Sequence, residues 1–287
     1  MTSRRDAVKA LAALAAAGLL PRAASAASAA RSASGSAARI KRVGVQLYTV
    51  RTAMNADVAA TLQAVATIGY QEVEFAGYYR HSPADIRKML DDHGLSSPSC
   101  HVGMGAVQDG FGATADAAHV VGHRYLTVAS LDMRALKTAD DWKRTADAFN
   151  EAGRRAKAAG LRFAYHNHNA EFTPVGGQVP MELLISGTDP SLVAFELDLY
   201  WITKAGSDPH AYFARFPGRF EMVHVKDSTG APDQRMADVG SGTMDWKGIF
   251  ARHKQAGIRH YFVEHDEPAD AMASLRASYS YLRALRF

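Results

Sequence analysis

From Val43 to Leu285, short runs rich in β-branched and aromatic residues alternate with longer stretches whose apolar positions recur every three or four residues. The short runs predict strands over Val43–Tyr48, Glu72–Phe75, Ser96–Val102, Tyr125–Ala129, Leu161–His166, Leu192–Asp198, Phe220–Val225 and His260–Glu264. The stretches between and after them predict helices over Ala56–Ile68, Pro83–His93, Ala113–Val121, Thr138–Ala159, Met181–Ile185, Pro209–Phe216, Trp246–Ala256 and Ala269–Leu285. Pro83 near a helix start, and Gly160 and Gly257 just past helix ends, mark boundaries. Pro98 weakens the third strand, because it has no N–H to give a neighbour.

Strictly alternating β and α segments imply a parallel sheet. Eight such units between residues 40 and 287 predict an α/β fold made of a single closed (β/α)8 TIM barrel. An open doubly wound sheet would want a glycine-rich turn after its first strand. Tyr48-Thr49-Val50-Arg51 stands there instead.

The run Leu192–Tyr200, LVAFELDLY, carries two acids two residues apart. Side chains alternate along a strand, so Glu196 and Asp198 share one face, opposite Phe195 and Leu197. Acids on a buried face need a partner, and a cation is the cheapest one. The same spacing recurs at other strand ends: His166/His168, His224/Lys226 and Glu264/Asp266, with Glu74 and His101 ending the second and third strands. Catalytic groups of a barrel gather at the C-terminal ends of its strands. Any one of these residues has a bland reading, such as a hydrogen-bonded histidine or a surface ion pair at Lys226-Asp227; it is their conjunction that signals a site. Carboxylates with imidazoles and no thiolates suit a divalent ion such as Mn2+, Mg2+, Co2+ or Zn2+. Asp198, His224 and Glu264 come from three successive strands and can meet at one point, with a fourth ligand expected from the fifth strand. Gly240-Ser241-Gly242 reads as an anion cradle or as a tight turn before Trp246, the turn being preferred.

The stretches Tyr165-His166-Asn167-His168 with Glu171-Phe172, Glu196-Leu197-Asp198, His224-Val225-Lys226-Asp227, Val239-Gly240-Ser241-Gly242 with Asp245-Trp246, and Val263-Glu264 resemble the sugar phosphate isomerase/epimerase family of xylose isomerase-like barrels. The resemblance runs from Val43 onward. It implies metal ligation by Asp198, His224 and Glu264. The family's strand-five Glu aligns with His166, which then either completes the ligand set or acts as a base. Expected catalytic residues are His166, His168 and Glu264; expected substrate-binding residues are His101, Lys226 and Glu171. The implied activity is a metal-dependent sugar isomerase or epimerase that abstracts a proton next to a carbonyl through a metal-stabilised enediolate. The alternative is a metal-dependent lyase that cleaves 3-keto-glycosides by β-elimination, a reading that the change from Glu to His favours. An endonuclease branch and a non-catalytic sugar-binding barrel are the remaining alternatives.

Charge and leader sharpen this picture. Residues 1–39 carry Arg4, Arg5, Lys9, Arg22, Arg31 and Arg39 against Asp6, a net of +5, so the rest of the chain holds −1 of the total +4. A near-neutral body argues against a nucleic-acid partner. Arg4-Arg5, the Ala/Leu run from Ala10 to Leu20 and the small residues through Ala38 read as an export signal and linker, twin-arginine or Sec, giving a periplasmic enzyme. The run is too short for a stable membrane span. The barrel is assigned to residues 40–287 and the expected partner is a small, unphosphorylated carbohydrate. The lone Cys100 permits no internal disulfide and reads as a buried filler. Oligomeric state has no signature in the sequence.

Overall fold

Eight parallel strands close on themselves in chain order: β1 (Gly44–Gln46), β2 (Glu72–Phe75), β3 (Ser96–Val102), β4 (Tyr125–Val128), β5 (Arg162–His166), β6 (Val193–Asp198), β7 (Phe220–Val225) and β8 (His260–Val263), with β8 pairing back onto β1. The computed structural model describes residues 37–287; the predicted export signal lies outside the described residues. After the strands come, in turn, α1 (Val58–Ile68), α2 (Pro83–Asp92), α3 (Phe111–Val121), α4 (Ala139–Ala158), α5 (Pro180–Gly187), α6 (Pro209–Arg215), α7 (Trp246–Ala251) and α8 (Ala271–Ala284). The chain is thus a single (β/α)8 barrel, as its pattern predicts. No helix among the described residues is long and apolar enough to cross a membrane.

Local chemistry sets the boundaries. Ser82 and Asp85 cap α2 reciprocally, as Thr138 and Asp141 cap α4, so the first free N–H groups of each helix are met by side chains. The first strand ends at Gln46, earlier than its apolar run suggests, because the Gln46 side chain accepts from the Tyr48 amide and turns Leu47–Val50 into a 3-10 helix. The first helical stretch is broken at Asp57, whose carboxylate caps α1 through the Ala60 amide. Pro98 is absorbed by a slip in register: Glu72 pairs with Ser96 but Glu74 with Ser99, one extra residue on the β3 side.

The period of two sorts the strands into faces. Phe163, Tyr165, Phe195 and Val223 look out and pack in the main apolar core with helix residues such as Phe149, Leu184 and Phe213. Tyr125, Ala164, Ala194, Met222 and Phe262 look in and form an apolar plug. Gly44 makes room for it, since a Cβ there would stand 2.6 Å from the Phe262 ring. Two residues beyond each member of this plug comes a polar one: Thr127, His166, Glu196, His224 and Glu264. The polar layer therefore lies on top of a sealed floor, at the C-terminal mouth of the barrel.

Candidate active site

Four donors from β5 to β8 meet on that floor: His166, Asp198, His224 and the residue that follows β8, Glu264. Each offers one atom, and the four atoms lie within 4.8 Å of one another. His224 Nδ1 is 2.7 Å from Glu264 Oε2 and 3.8 Å from Asp198 Oδ2. His166 Nε2 is 3.5 Å from the same Asp198 oxygen. The rest of each side chain is pinned: Asp198 Oδ1 accepts from the Trp201 amide at 2.9 Å, and His166 Nδ1 contacts the Ala129 carbonyl at 3.2 Å. Asn167, fully buried, accepts from the Asp198 amide at 3.1 Å and ties the ends of β5 and β6 together.

A second layer lies beneath. Glu74, His101, Glu196 and His224 also bring one atom each within 4.8 Å. His101 Nε2 is 2.8 Å from Glu196 Oε2, and His224 Nε2 is 2.8 Å from Glu74 Oε2. Gln46 Nε2 and Ser99 Oγ donate to the two oxygens of Glu74 at 2.8 and 2.5 Å.

So many buried acids shift one another. Burial opposes charge on every group here, and the neighbours decide the outcome. On Lys226 the carboxylates of Asp198, Glu264 and Asp266 overcome burial and hold the ammonium well above its usual range. On Asp198, Lys226 and His166 overcome burial and bring the carboxyl down to about 2. Glu264 lies well below the carboxylate range because Lys226 and His224 outweigh its burial. His224 is carried well above the imidazole range by Glu196 and Glu264. Glu74 goes the other way: burial, then Glu196, raises it. At His166, burial with His224 beside it outweighs the nearby Asp198 and pushes the pKa down to about 3. A neutral imidazole is the form that ligates.

The upper set fits a divalent ion. His166 Nε2 and Asp198 Oδ2 are buried polar atoms without a directed hydrogen-bond partner, a rare condition in native cores. Lys226 Nζ is 3.0 Å from Asp198 Oδ2, but its directed bond goes to Asp266 at 2.9 Å. Two imidazoles and two carboxylates are the donors such an ion takes.

Above the set opens a cavity of about 620 Å³, lined among others by His101, His166, His168, Lys226, Glu264 and Asp266. Tyr48 and Arg51 stand on its wall after β1, and Trp201 after β6. His168 faces it with its ring 4.9 Å from that of His166.

The three expected substrate-binding residues are placed differently from one another. Glu171 does not line the cavity: it is fully buried, and its oxygens take the Tyr165 hydroxyl and the His168 amide. It shapes the turn that presents His168. His101 lines the cavity, but its Nε2 is held by Glu196. Lys226 also lines it, with an ammonium already facing Asp198, Glu264 and Asp266 at 2.8 to 3.0 Å. Glu74 and Asn167 were the residues least legible as parts of the site. Glu74 reads equally as a barrel-end ion pair, and Asn167 was visible only inside the Tyr-His-Asn-His motif. Gly240-Ser241-Gly242 is a turn built around an internal anion: the Asp227 carboxylate accepts from the amides of Gly240 and Gly242 and from Trp246 Nε1.

A family model described as xylose isomerase-like TIM barrel matches residues 62–285, and the chain belongs to that family. It is similar to a solved structure described as a sugar phosphate isomerase/epimerase from Parabacteroides distasonis, 29% identical, with a TM-score of 0.75 over 87% of this chain and 96% of that one. It is also similar to an inosose dehydratase of Lacticaseibacillus casei, 23% identical over 72% of this chain and 80% of the relative. The fold is shared with a protein described as IOLI with a binding zinc atom, at 16% identity and a TM-score of 0.68, over 83% of this chain and 95% of that one.

Proposed function

We propose that the protein is a metal-dependent carbohydrate lyase that removes a proton next to a sugar carbonyl and expels a β-oxygen substituent. The observation that carries this is the convergence of His166, Asp198, His224 and Glu264 within 4.8 Å at the floor of an open cavity. These four would hold the ion. A mixed nitrogen and oxygen set favours Zn2+, Co2+ or Mn2+ over Mg2+, which prefers oxygen alone; the zinc named for one structural neighbour supports this. When bound, such an ion supplies Lewis-acid polarisation of a sugar oxygen.

The chain's own groups do the rest. With His166 committed to ligation, His168 is the base, its ring on the cavity wall beside the ion site. It breaks the C–H bond next to the carbonyl and keeps the proton. The electron pair forms a carbon–carbon double bond as the neighbouring C–O bond breaks. Lys226 stands over Asp198 and Glu264 and, as an ammonium, donates a hydrogen bond to the departing oxygen, which takes its proton from water. Asp198 and Glu264 are both held below the usual carboxylate range, in the ionised form that ligates. The dehydratase named among the relatives works in the same sense, since dehydration is an elimination.

Isomerase or epimerase action is the second reading, favoured by the names of the structural relatives at 29% and 30% identity. It uses the same proton abstraction but returns the proton to carbon. The missing strand-five carboxylate weighs against two-base epimerisation. The export signal read in residues 1–39 points to a periplasmic enzyme and an unphosphorylated substrate.

The test is proton NMR in D2O with a 3-keto-glycoside and the corresponding free keto-sugar. Release of the aglycone supports the lyase. Deuterium entering next to the carbonyl without release supports the isomerase. Neither event, with metal bound, removes both readings.

A further inference from the structure

His224 belongs to two donor sets, the upper one with His166, Asp198 and Glu264 and the lower one with Glu74, His101 and Glu196. One imidazole presents Nδ1 upward and Nε2 downward. An ion can use only one of these nitrogens while the other keeps its proton.

The lower set is already engaged. Glu74 accepts Gln46 Nε2 on one oxygen and Ser99 Oγ on the other, and His224 Nε2 lies 2.8 Å from the first. Ser99 is tied in turn to Thr127 at 2.8 Å. Glu196 Oε2 faces two imidazoles, at 2.8 Å from His101 and 3.2 Å from His224. Its Oε1 is the one orphaned atom of this layer, against two in the upper set, His166 Nε2 and Asp198 Oδ2. Both oxygens of Glu74 thus have side-chain donors directed at them, whereas Asp198 Oδ2 of the upper set has none. Glu74, Ser99, Glu196 and His224 are all buried, so water does not substitute for a missing partner.

We infer that Glu74 is a positioning residue: it takes the Nε2 proton of His224, fixes that tautomer, and so aims the Nδ1 lone pair at the upper set. Gln46 and Ser99 hold Glu74 still, and Thr127 holds Ser99. The relay runs through β4, β3, β2 and β7 and links half the barrel to one ring nitrogen. Carboxylates behind ligating histidines raise the basicity and lock the ring angle, and their loss typically weakens metal binding about 10- to 100-fold. The inference rests on the metal-binding reading above, and goes beyond it by naming the ligating nitrogen and the residue that selects it.

Two measurements on the full chain decide it. Protein with 15N-labelled histidine is loaded with 113Cd2+. The expected spectrum shows cadmium coupling to His224 Nδ1 and a retained proton on Nε2. Coupling through Nε2, or to His101, places the ion in the lower set and overturns the inference. Calorimetry with Zn2+ then compares wild type with Glu74→Gln. A loss of about 10- to 100-fold in affinity is expected, with the unfolding midpoint of the metal-free chain little changed. Equal affinity overturns the inference while leaving the metal reading intact. Wild type that binds no zinc overturns both. Should Glu74→Gln fail to fold, Ser99→Ala removes the hydroxyl that donates to Glu74 and meets Thr127; it is expected to weaken Zn2+ binding several-fold, and an unchanged affinity overturns the relay.

Discussion

His123 belongs to neither donor set and shows how burial shapes a single residue. Its Nδ1 sits 2.8 Å from the Ser97 carbonyl and its Nε2 3.0 Å from the Tyr78 hydroxyl. Burial, with Arg87 nearby, brings its pKa down to about 4 against 6.5 in an unfolded chain. The fold therefore favours the neutral ring. As pH falls from about 6.5 towards 4, the unfolded chain takes up a proton that the folded one refuses. Stability from this residue falls through that window by up to about 3 kcal/mol and levels off below it. Chemical denaturation across pH 7.5 to 4.5 is expected to show this loss, and His123→Gln to remove its share of the slope. A slope unaltered by the substitution would assign the acid sensitivity elsewhere.

At the scale of one element, the segment from β7 to α7 is organised by Asp227. Its carboxylate accepts from the amides of Ser228, Gly240, Gly242 and Met244 and from Trp246 Nε1. Gly242 has to be glycine for this approach, since a Cβ would stand 2.2 Å from Asp227 Oδ1. Replacing Asp227 by Ala leaves several buried donors without an acceptor, at a cost of roughly 3 kcal/mol or more. The expected result is a lower unfolding midpoint and faster proteolysis within residues 228–245. Retained midpoint and protection would mean that water takes over the carboxylate's role. The glycines and Trp246 were visible in the sequence as a turn before a helix. That the anion they surround belongs to the chain itself was not, because the partner lies thirteen or more residues earlier, just after β7.

At the scale of the whole barrel, the upper donor set joins four strands, so ligation there couples to global unfolding. A metal that binds only the folded chain stabilises it by about 2.7 kcal/mol at a hundred times its Kd. For a domain of this size that is about 5 to 10 °C in Tm. Adding Zn2+ or Mn2+ to chelator-treated protein is expected to give a shift of this order, and Asp198→Asn or Glu264→Gln to abolish it. An equal shift in those variants would locate the ion elsewhere.

The alternation of β and α segments, and the two-residue spacing of polar groups at strand ends, were determined by the sequence alone. Both follow from local periodicities that do not depend on what packs where, so His166, Asp198, His224 and Glu264 were legible before any coordinates. The surroundings of Glu74, Glu171 and Lys226 were decided only by the tertiary structure. Each carries a charge whose meaning depends on which groups lie within about 3 Å, and barrel closure sets those distances. It turns Glu171 behind β5, places Lys226 among three carboxylates, and brings Glu74 from β2 under a histidine on β7. Such contacts join residues up to 150 positions apart, and no pattern along the chain encodes which nitrogen of His224 faces which acid.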